Sequence, residues 1–189
     1  MPIFIFDGKP PPEKRELLRQ RYLDKRAAYE KYLKLQSEME TGQGDRNKMT
    51  AELDTLKRQC VRVYDEDVMK VKKLMDAYCV TYYDAPGEAD QLCAQLVISK
   101  VAWACLSDDM DLLIYGCTRV MRHVSLLNHT VIFYNINGIL RELAMPMNHF
   151  REVTVISGTD YNSSGSATLS NTLKHYNTYK SLPLIDCSF

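Results

Sequence analysis

Short β-prone apolar runs alternate with helix-forming segments along this chain, and the runs end in acidic residues. That alternation constrains the fold more than any other feature. Residues 2–6, Pro-Ile-Phe-Ile-Phe, stop at Asp7-Gly8, and Lys9-Pro10-Pro11-Pro12 then blocks any continuation as strand or helix. Further strands are predicted at residues 79–83, 101–106, 118–123 and 130–134. Helices are predicted from residue 13 to about 39, where Leu17, Leu18, Tyr22, Tyr29, Tyr32 and Leu33 supply apolar contacts, and from about 46 toward 78. The later part of that second helix carries the stripe Val68, Val71, Leu74 and Met75. More helix is predicted from Pro86-Gly87 to residue 99, briefly after Ser107, at 136–143 and 148–157, and weakly around 168–179. Strand and helix in alternation with short links predict an α/β sheet covered by helices.

The acidic residues fall where such a sheet places its binding crevice, beyond the strand ends. Asp7 ends the first run, Glu88 and Asp90 open the helix after the second, Asp109 and Asp111 follow the third, and Asp160 follows Val153-Thr154-Val155-Ile156-Ser157. Carboxylates gathered from separate loops repel and raise one another's pKa unless a cation intervenes. Hard divalent ions such as Mg²⁺ or Mn²⁺ suit oxygen ligands, and two of them about 4 Å apart clamp the attacking and leaving oxygens of a displacement at phosphorus. Each residue also has a local reading. Acids at a helix start cap free N–H groups and complement the dipole, and Asp-Gly is a turn.

Composition narrows the field less. The 189 residues are 46% apolar and 25% charged, and 24 acidic side chains balance 24 basic ones. Bulk charge therefore does not advertise nucleic acid, and only its distribution can. The six cysteines form no C-x-x-C pair and sit partly in apolar runs, which predicts reduced core thiols. The four histidines have no zinc spacing, His123 reads as structural, and Trp103 reads as core. No apolar stretch approaches the roughly 20 residues of a membrane span, and no signal peptide is apparent.

Four segments in order resemble the flap-endonuclease (XPG-like) 5′-nuclease family: Phe6-Asp7-Gly8-Lys9-Pro10-Pro11; Asp84-Ala85-Pro86-Gly87-Glu88-Ala89-Asp90; Asp108-Asp109-Met110-Asp111-Leu112-Leu113-Ile114-Tyr115-Gly116; and Gly158-Thr159-Asp160-Tyr161. Met121-Arg122-His123 is similar to the family's intervening strand. The resemblance covers roughly residues 2 to 161. It implies a 5′-nuclease (PIN-like) α/β fold with a helical arch, two Mg²⁺ ions that Mn²⁺ can replace, and cleavage of branched or 5′-flapped DNA. By position it implies Asp7, Glu88, Asp90, Asp109, Asp111 and Asp160 as metal ligands, with Asp90 standing where the family often has Glu. It further implies Lys14 and Arg21 as catalytic basic residues at the base of the arch, two helical turns apart on one face, where they orient the scissile phosphate and offset its charge. Gly87, at a helix N-terminus that phosphate can approach, and Arg15, Arg19 and Lys25 are the expected DNA contacts. Residues 13–35 hold eight basic against four acidic side chains, a local charge of +4.

The chain also departs from the family's pattern. The family's N-terminal portion, with its first strand and a metal-binding aspartate, has no counterpart before Asp7, so the copy is expected to be truncated and a central strand absent. After Tyr161 the Gly-x-Gly turn that grips duplex phosphates is replaced by Asn162-Ser163-Ser164-Gly165-Ser166. The expected organisation is a nuclease core over residues 1–161, with the arch at about 10–66, and a degenerate DNA-binding helical region or tail over 162–189. The expected function is a structure-specific 5′ flap endonuclease or exonuclease acting in replication or repair, alongside other replication or repair proteins. Its implied location is the nucleus or a viral replication site, away from membranes. The alternatives are a non-catalytic relative that binds DNA or a protein partner, and a metal-dependent RNase of similar fold.

Overall fold

The computed structural model describes residues 1–41, 46–159 and 167–181. The chain divides into two compact units, Met1–Ile3 with Pro12–Tyr82, and Phe4–Pro11 with Tyr83–Phe189.

The first unit is helical. After a 3-10 turn at Pro12–Lys14, α1 runs through Arg15–Glu40 and packs on α2, Arg46–Gln59. The buried side chains of this pair are small or flexible: Ala28, Met49 and Leu56. Leu18, Tyr22, Tyr29 and Leu33, expected as apolar contacts, are exposed, because α1 has one helical neighbour along much of its length. The long second helix expected from the sequence is broken. α2 stops at Gln59, and α3 spans Asp65–Ala77. Asp65, Glu66 and Asp67 crowd the first turn of α3, where carboxylates complement the positive end of the helix dipole, and the Asp67 side chain accepts a 3.2 Å hydrogen bond from the Tyr64 N–H. Val71 and Leu74 of the expected packed stripe are exposed, and α3 buries no side chain fully.

The second unit carries most of the strand residues. Among the described residues the strands fall into two sheets. β1 (Ile3–Phe6) pairs with β2 (Thr81–Asp84), and β3 (Cys105–Leu106), β4 (Arg119–Ser125) and β5 (Thr130–Asn135) form the other. β3 runs parallel to β4, with Cys105 opposite Val120, and β4 runs antiparallel to β5, with Val120 opposite Tyr134. Helices α4 (Ala89–Ile98), α5 (Asp111–Ile114), α6 (Ile136–Glu142), α7 (Met147–Ser157) and α8 (Leu169–Ser181) complete the unit. Its main core joins Ala94 and Val97 of α4 to Cys105, Leu112, Leu113, Cys117, Val120 and Ile136. A second cluster joins Met145 and Val153 to Tyr176 of α8, whose hydroxyl lies 3.0 Å from His149 Nδ1.

Two strands, β2 and β3, start later than expected because the helices before them end in the same backbone motif, which also follows α6. After α4, Lys100 takes a left-handed φ of 62°, its N–H bonds Val97 O, and Val101 N–H bonds Leu96 O. Cys79 after α3 (φ 53°) and Ala144 after α6 (φ 46°) repeat the pattern, with Val80 bonding Met75 O and Met145 bonding Leu140 O. The six-residue strand expected at 101–106 therefore contracts to two residues. Trp103 is outside the sheet and 64% exposed, not core as its apolar neighbours suggested. It stacks on Phe133 at 5.6 Å, with the Arg119 guanidinium 5.0 Å over its ring.

Candidate active site

The first two motifs of the sequence are locked together in the second unit. Asp7 leaves β1 and its Oδ1 accepts a 2.8 Å hydrogen bond from the Ala89 N–H, at the start of α4. Next to it the Gly8 N–H donates to Gly87 O at 2.7 Å, and the Ala85 N–H donates to Phe6 O at 2.9 Å. Gly8 is required here, because a Cβ would run into the Ala85 carbonyl oxygen. Gly87 is not required sterically, since nothing lies within 4 Å of where its Cβ would be. Asp7 is thus held beside Glu88, the N-cap of α4, and Asp90 in its first turn.

The third motif is organised by its own backbone. Beyond β3 the Asp109 N–H donates to Ser107 Oγ at 3.1 Å, and Asp109 Oδ1 accepts from the Asp111 N–H at 2.8 Å as α5 begins. Asp108, which the sequence reasoning left without a role, ties this loop to β4. Its Oδ1 accepts from the His123 N–H at 3.1 Å and lies 3.3 Å from His123 Nδ1 and 3.8 Å from Arg122 Nε. His123 sits at φ 52° where the β4–β5 register breaks, so the Met121-Arg122-His123 segment serves as a brace. The signal was present: three carboxylates in four residues need more hydrogen-bond donors than one turn supplies.

Cys93, one turn beyond Asp90, packs against the core cluster that includes Cys105 of β3. Its interaction with the Cys105 thiol pulls Cys93 below its ordinary pKa, against the opposing effects of burial and of Asp90 and Asp7. The Cys93 thiol together with burial pushes Cys105 up, and burial raises Cys117.

Oxygen donors at a helix start and at a strand end match the chemistry of a hard divalent ion. Among the described residues, no three Asp, Glu, His or Cys side chains stand close enough to hold a metal ion between them. Asp7 and Asp109 each spend one oxygen on a backbone N–H, which disperses charge that close-packed carboxylates would otherwise concentrate. Asp160, expected in the same set, lies outside the described residues, as does the 162–166 segment.

The basic residues lie in the first unit. Lys14 ends the 3-10 turn, and Arg15, Arg19, Arg21 and Lys25 follow on α1. Arg19 pairs loosely with Glu16 at 3.9 Å, and Lys25 Nζ donates to Val61 O at 3.1 Å, bridging to the α2–α3 link. Arg21 lines an open groove of about 890 Å³ with Tyr22, Lys25, Arg62 and Tyr64. The Arg62 guanidinium stands 4.9 Å over the Tyr22 ring. No sequence motif pointed to Arg62, because the α2–α3 break that exposes it was read as continuous helix.

The family model of the XPG I-region matches residues 79–160. Flap endonuclease 1-A of Oryza sativa subsp. japonica is 31% identical over 163 residues, covering 85% of this chain and 40% of that protein. Flap endonuclease 1 of Sulfolobus acidocaldarius is 29% identical over 177 residues, covering 87% of this chain and 48% of the relative. Among solved structures, the catalytic core of Rad2 in complex with DNA substrate superposes with a TM-score of 0.67 at 24% identity, over 96% of this chain and 48% of that one. Flap endonuclease-1 from Methanococcus jannaschii gives a TM-score of 0.63 at 21% identity, over 94% and 54%. The chain spans about half, or somewhat less, of the length of the curated relatives it matches. In sequence, then, this chain carries the XPG I-region and is similar to flap endonucleases, and its fold is that of a 5′-nuclease core.

Proposed function

We propose that this chain is the catalytic part of a structure-specific 5′ nuclease that hydrolyses phosphodiesters of branched or 5′-flapped DNA. One observation carries the reading. The Asp7-Gly8 turn and the Gly87-Glu88-Ala89-Asp90 helix start, 80 positions apart in sequence, are joined by the Asp7–Ala89 and Gly8–Gly87 hydrogen bonds. Two Mg²⁺ ions, which Mn²⁺ could replace, would be held by Asp7, Glu88, Asp90, Asp109, Asp111 and Asp160 and would supply an acidified water and charge neutralisation at the phosphate. The Ala89 N–H fixes the Asp7 carboxylate so that it needs little reorganisation to accept a ligand. The Asp111 N–H does the same for Asp109. Lys14 and Arg21, with Arg15, Arg19 and Lys25, bind phosphate charge on the DNA, and the α4 N-terminus at Gly87 offers N–H donors to a further phosphate. Such an enzyme belongs in replication or repair and, in a eukaryotic cell, in the nucleus.

Purified chain with Mg²⁺ is expected to nick a labelled 5′-flap duplex, and Asp109→Asn to reduce the rate on the order of 100-fold or more. Equal cleavage by the two proteins would refute the assignment. A matched RNA flap run beside the DNA distinguishes the sugar preferred. A second reading, a relative that binds DNA without cutting it, gains support from the lack of a three-ligand cluster among the described residues. Calorimetric titration with Mn²⁺ separates the two, because productive binding of the ion is expected only of the nuclease.

A further inference from the structure

We infer that β5 is the interface of a two-fold dimer, in which the open β5 edges of two copies of this chain pair antiparallel and join their three-stranded sheets into one. The inference goes beyond the nuclease reading and does not depend on it. Among the described residues β5 ends its sheet, with β4 on one side and no strand on the other. The ladder fixes which backbone groups face the open side. The Ile136 N–H donates to Thr118 O at 3.2 Å, which makes these two a hydrogen-bonded pair. By antiparallel alternation Tyr134–Val120 and Ile132–Arg122 are pairs of the same kind. Val131 and Phe133 alternate with them and point their N–H and C=O away from β4. The far side of β4 agrees: Met121, opposite Phe133, turns its carbonyl toward β3 and accepts the Ser107 N–H at 3.1 Å. Donors and acceptors alternating at strand spacing are a template for another extended backbone.

The side chains select the strand that fits. Edges that stay single are guarded by Lys, Pro or a bulge. Residues 130–135, Thr-Val-Ile-Phe-Tyr-Asn, hold no charge, no proline and no glycine, and the extra residue of the register shift lies in β4, between Arg122 and Ser125. Val131, Ile132 and Phe133 are 43%, 47% and 45% exposed, so apolar surface lies along the edge on both faces. One face is already stiffened. Phe133 stacks on Trp103 at 5.6 Å, and Arg119 holds Trp103 with its guanidinium 5.0 Å over the ring and Nη1 donating to Trp103 O at 3.0 Å. A neutral strand selects no charged partner, and it opposes no like charges when it meets itself. With Ile132 on the two-fold axis, Val131 of each copy lies opposite Phe133 of the other, and Thr130 opposite Tyr134. Each Val131–Phe133 pair exchanges both N–H···O bonds and sets a β-branched side chain against an aromatic one. The pairing consumes the edge of both copies, so assembly closes at two.

The test is the mass of the whole chain by light scattering after size exclusion, loaded from about 1 to about 200 μM. A dimer of about 44 kDa, twice 21.8 kDa, is expected at the upper end. Ile132→Lys sets two ammonium groups against each other across the axis and is expected to raise the concentration needed for dimer at least about tenfold. Ile132→Glu alone is expected to do the same. An equimolar mixture of the two variants is expected to recover the dimer, because opposite charges then meet, and that recovery also shows both variants to be folded. Should circular dichroism show that either variant is unfolded, Val131→Pro takes their place and is expected to be monomeric, since it deletes an outward N–H and no bond to β4. A mass of 21.8 kDa at every concentration would overturn the inference and leave the edge to a strand of another protein. So would a dimer indifferent to these substitutions, open-ended larger species, or a mixture of folded variants that stays monomeric.

Discussion

Replacing Gly8 by alanine tests the turn on which the candidate site is built. The added Cβ would overlap the Ala85 carbonyl oxygen and come to 3.0 Å from Gly87 O, both of them backbone atoms that have no rotamer by which to yield. Relief requires the two segments to part. That stretches the Gly8–Gly87 bond of 2.7 Å and the Asp7–Ala89 bond of 2.8 Å. Two hydrogen bonds at about 1 kcal/mol each and backbone strain of about 1–3 kcal/mol, less about 0.5 kcal/mol from the stiffer unfolded chain, give a loss of about 3 kcal/mol. For a chain of this size that lowers the melting temperature by about 9 °C. Gly87→Ala is the matched control, since its Cβ enters open space and the melting temperature is expected to hold or rise slightly. Thermal melts followed by circular dichroism compare the two. If Gly8→Ala melts within about 1 °C of the parent, the close approach has been misread, and with it the means by which Asp7 is held against α4.

Other outcomes follow from the same contacts. Asp7→Asn keeps an oxygen for the Ala89 N–H, so it should move the melting temperature by less than about 2 °C while cleavage of a flap substrate falls on the order of 100-fold; retained cleavage would reduce Asp7 to a helix cap. Lys100→Gly removes the Cβ strain of a left-handed φ of 62° and should raise stability by about 0.5 kcal/mol in urea titrations, where a drop would count against the motif. Burial first, and the charge of Glu152 second, push Tyr176 above the ordinary tyrosine pKa. The folded state therefore favours the neutral phenol, and its contribution is complete below about pH 10 and is lost as pH climbs from there toward the folded value. Tyr176→Phe should lose about 1 kcal/mol at neutral pH, through the His149 contact, and show a shallower alkaline decline in urea midpoints.

Much of this molecule is written locally. The helix start at Glu88 and Asp90 is legible from its acids, whereas Asp65, Glu66 and Asp67 open α3 inside a stretch that reads as continuous helix. Strands such as 130–135 announce themselves by β-prone side chains, and the order of four acidic motifs is enough to identify the family. The errors in strand bounds share one cause. Cys79, Lys100 and Ala144 adopt the left-handed turn that glycine usually marks, and no side chain at those positions signals it. The strand at 101–106 was therefore drawn four residues too long, which turned an exposed Trp103 into a core residue. Spacing likewise left open whether Asp7 is a turn residue or part of a site. The donor that holds Asp7 is Ala89, whose N–H lies 82 positions away and reaches Asp7 only because β1 and β2 pair and end together. Residue type and periodicity act over a few neighbours, through backbone sterics and one helical turn of contact. Which distant donors a carboxylate finds, Ala89 for Asp7 and His123 for Asp108, depends on chain segments that only the folded sheet brings side by side.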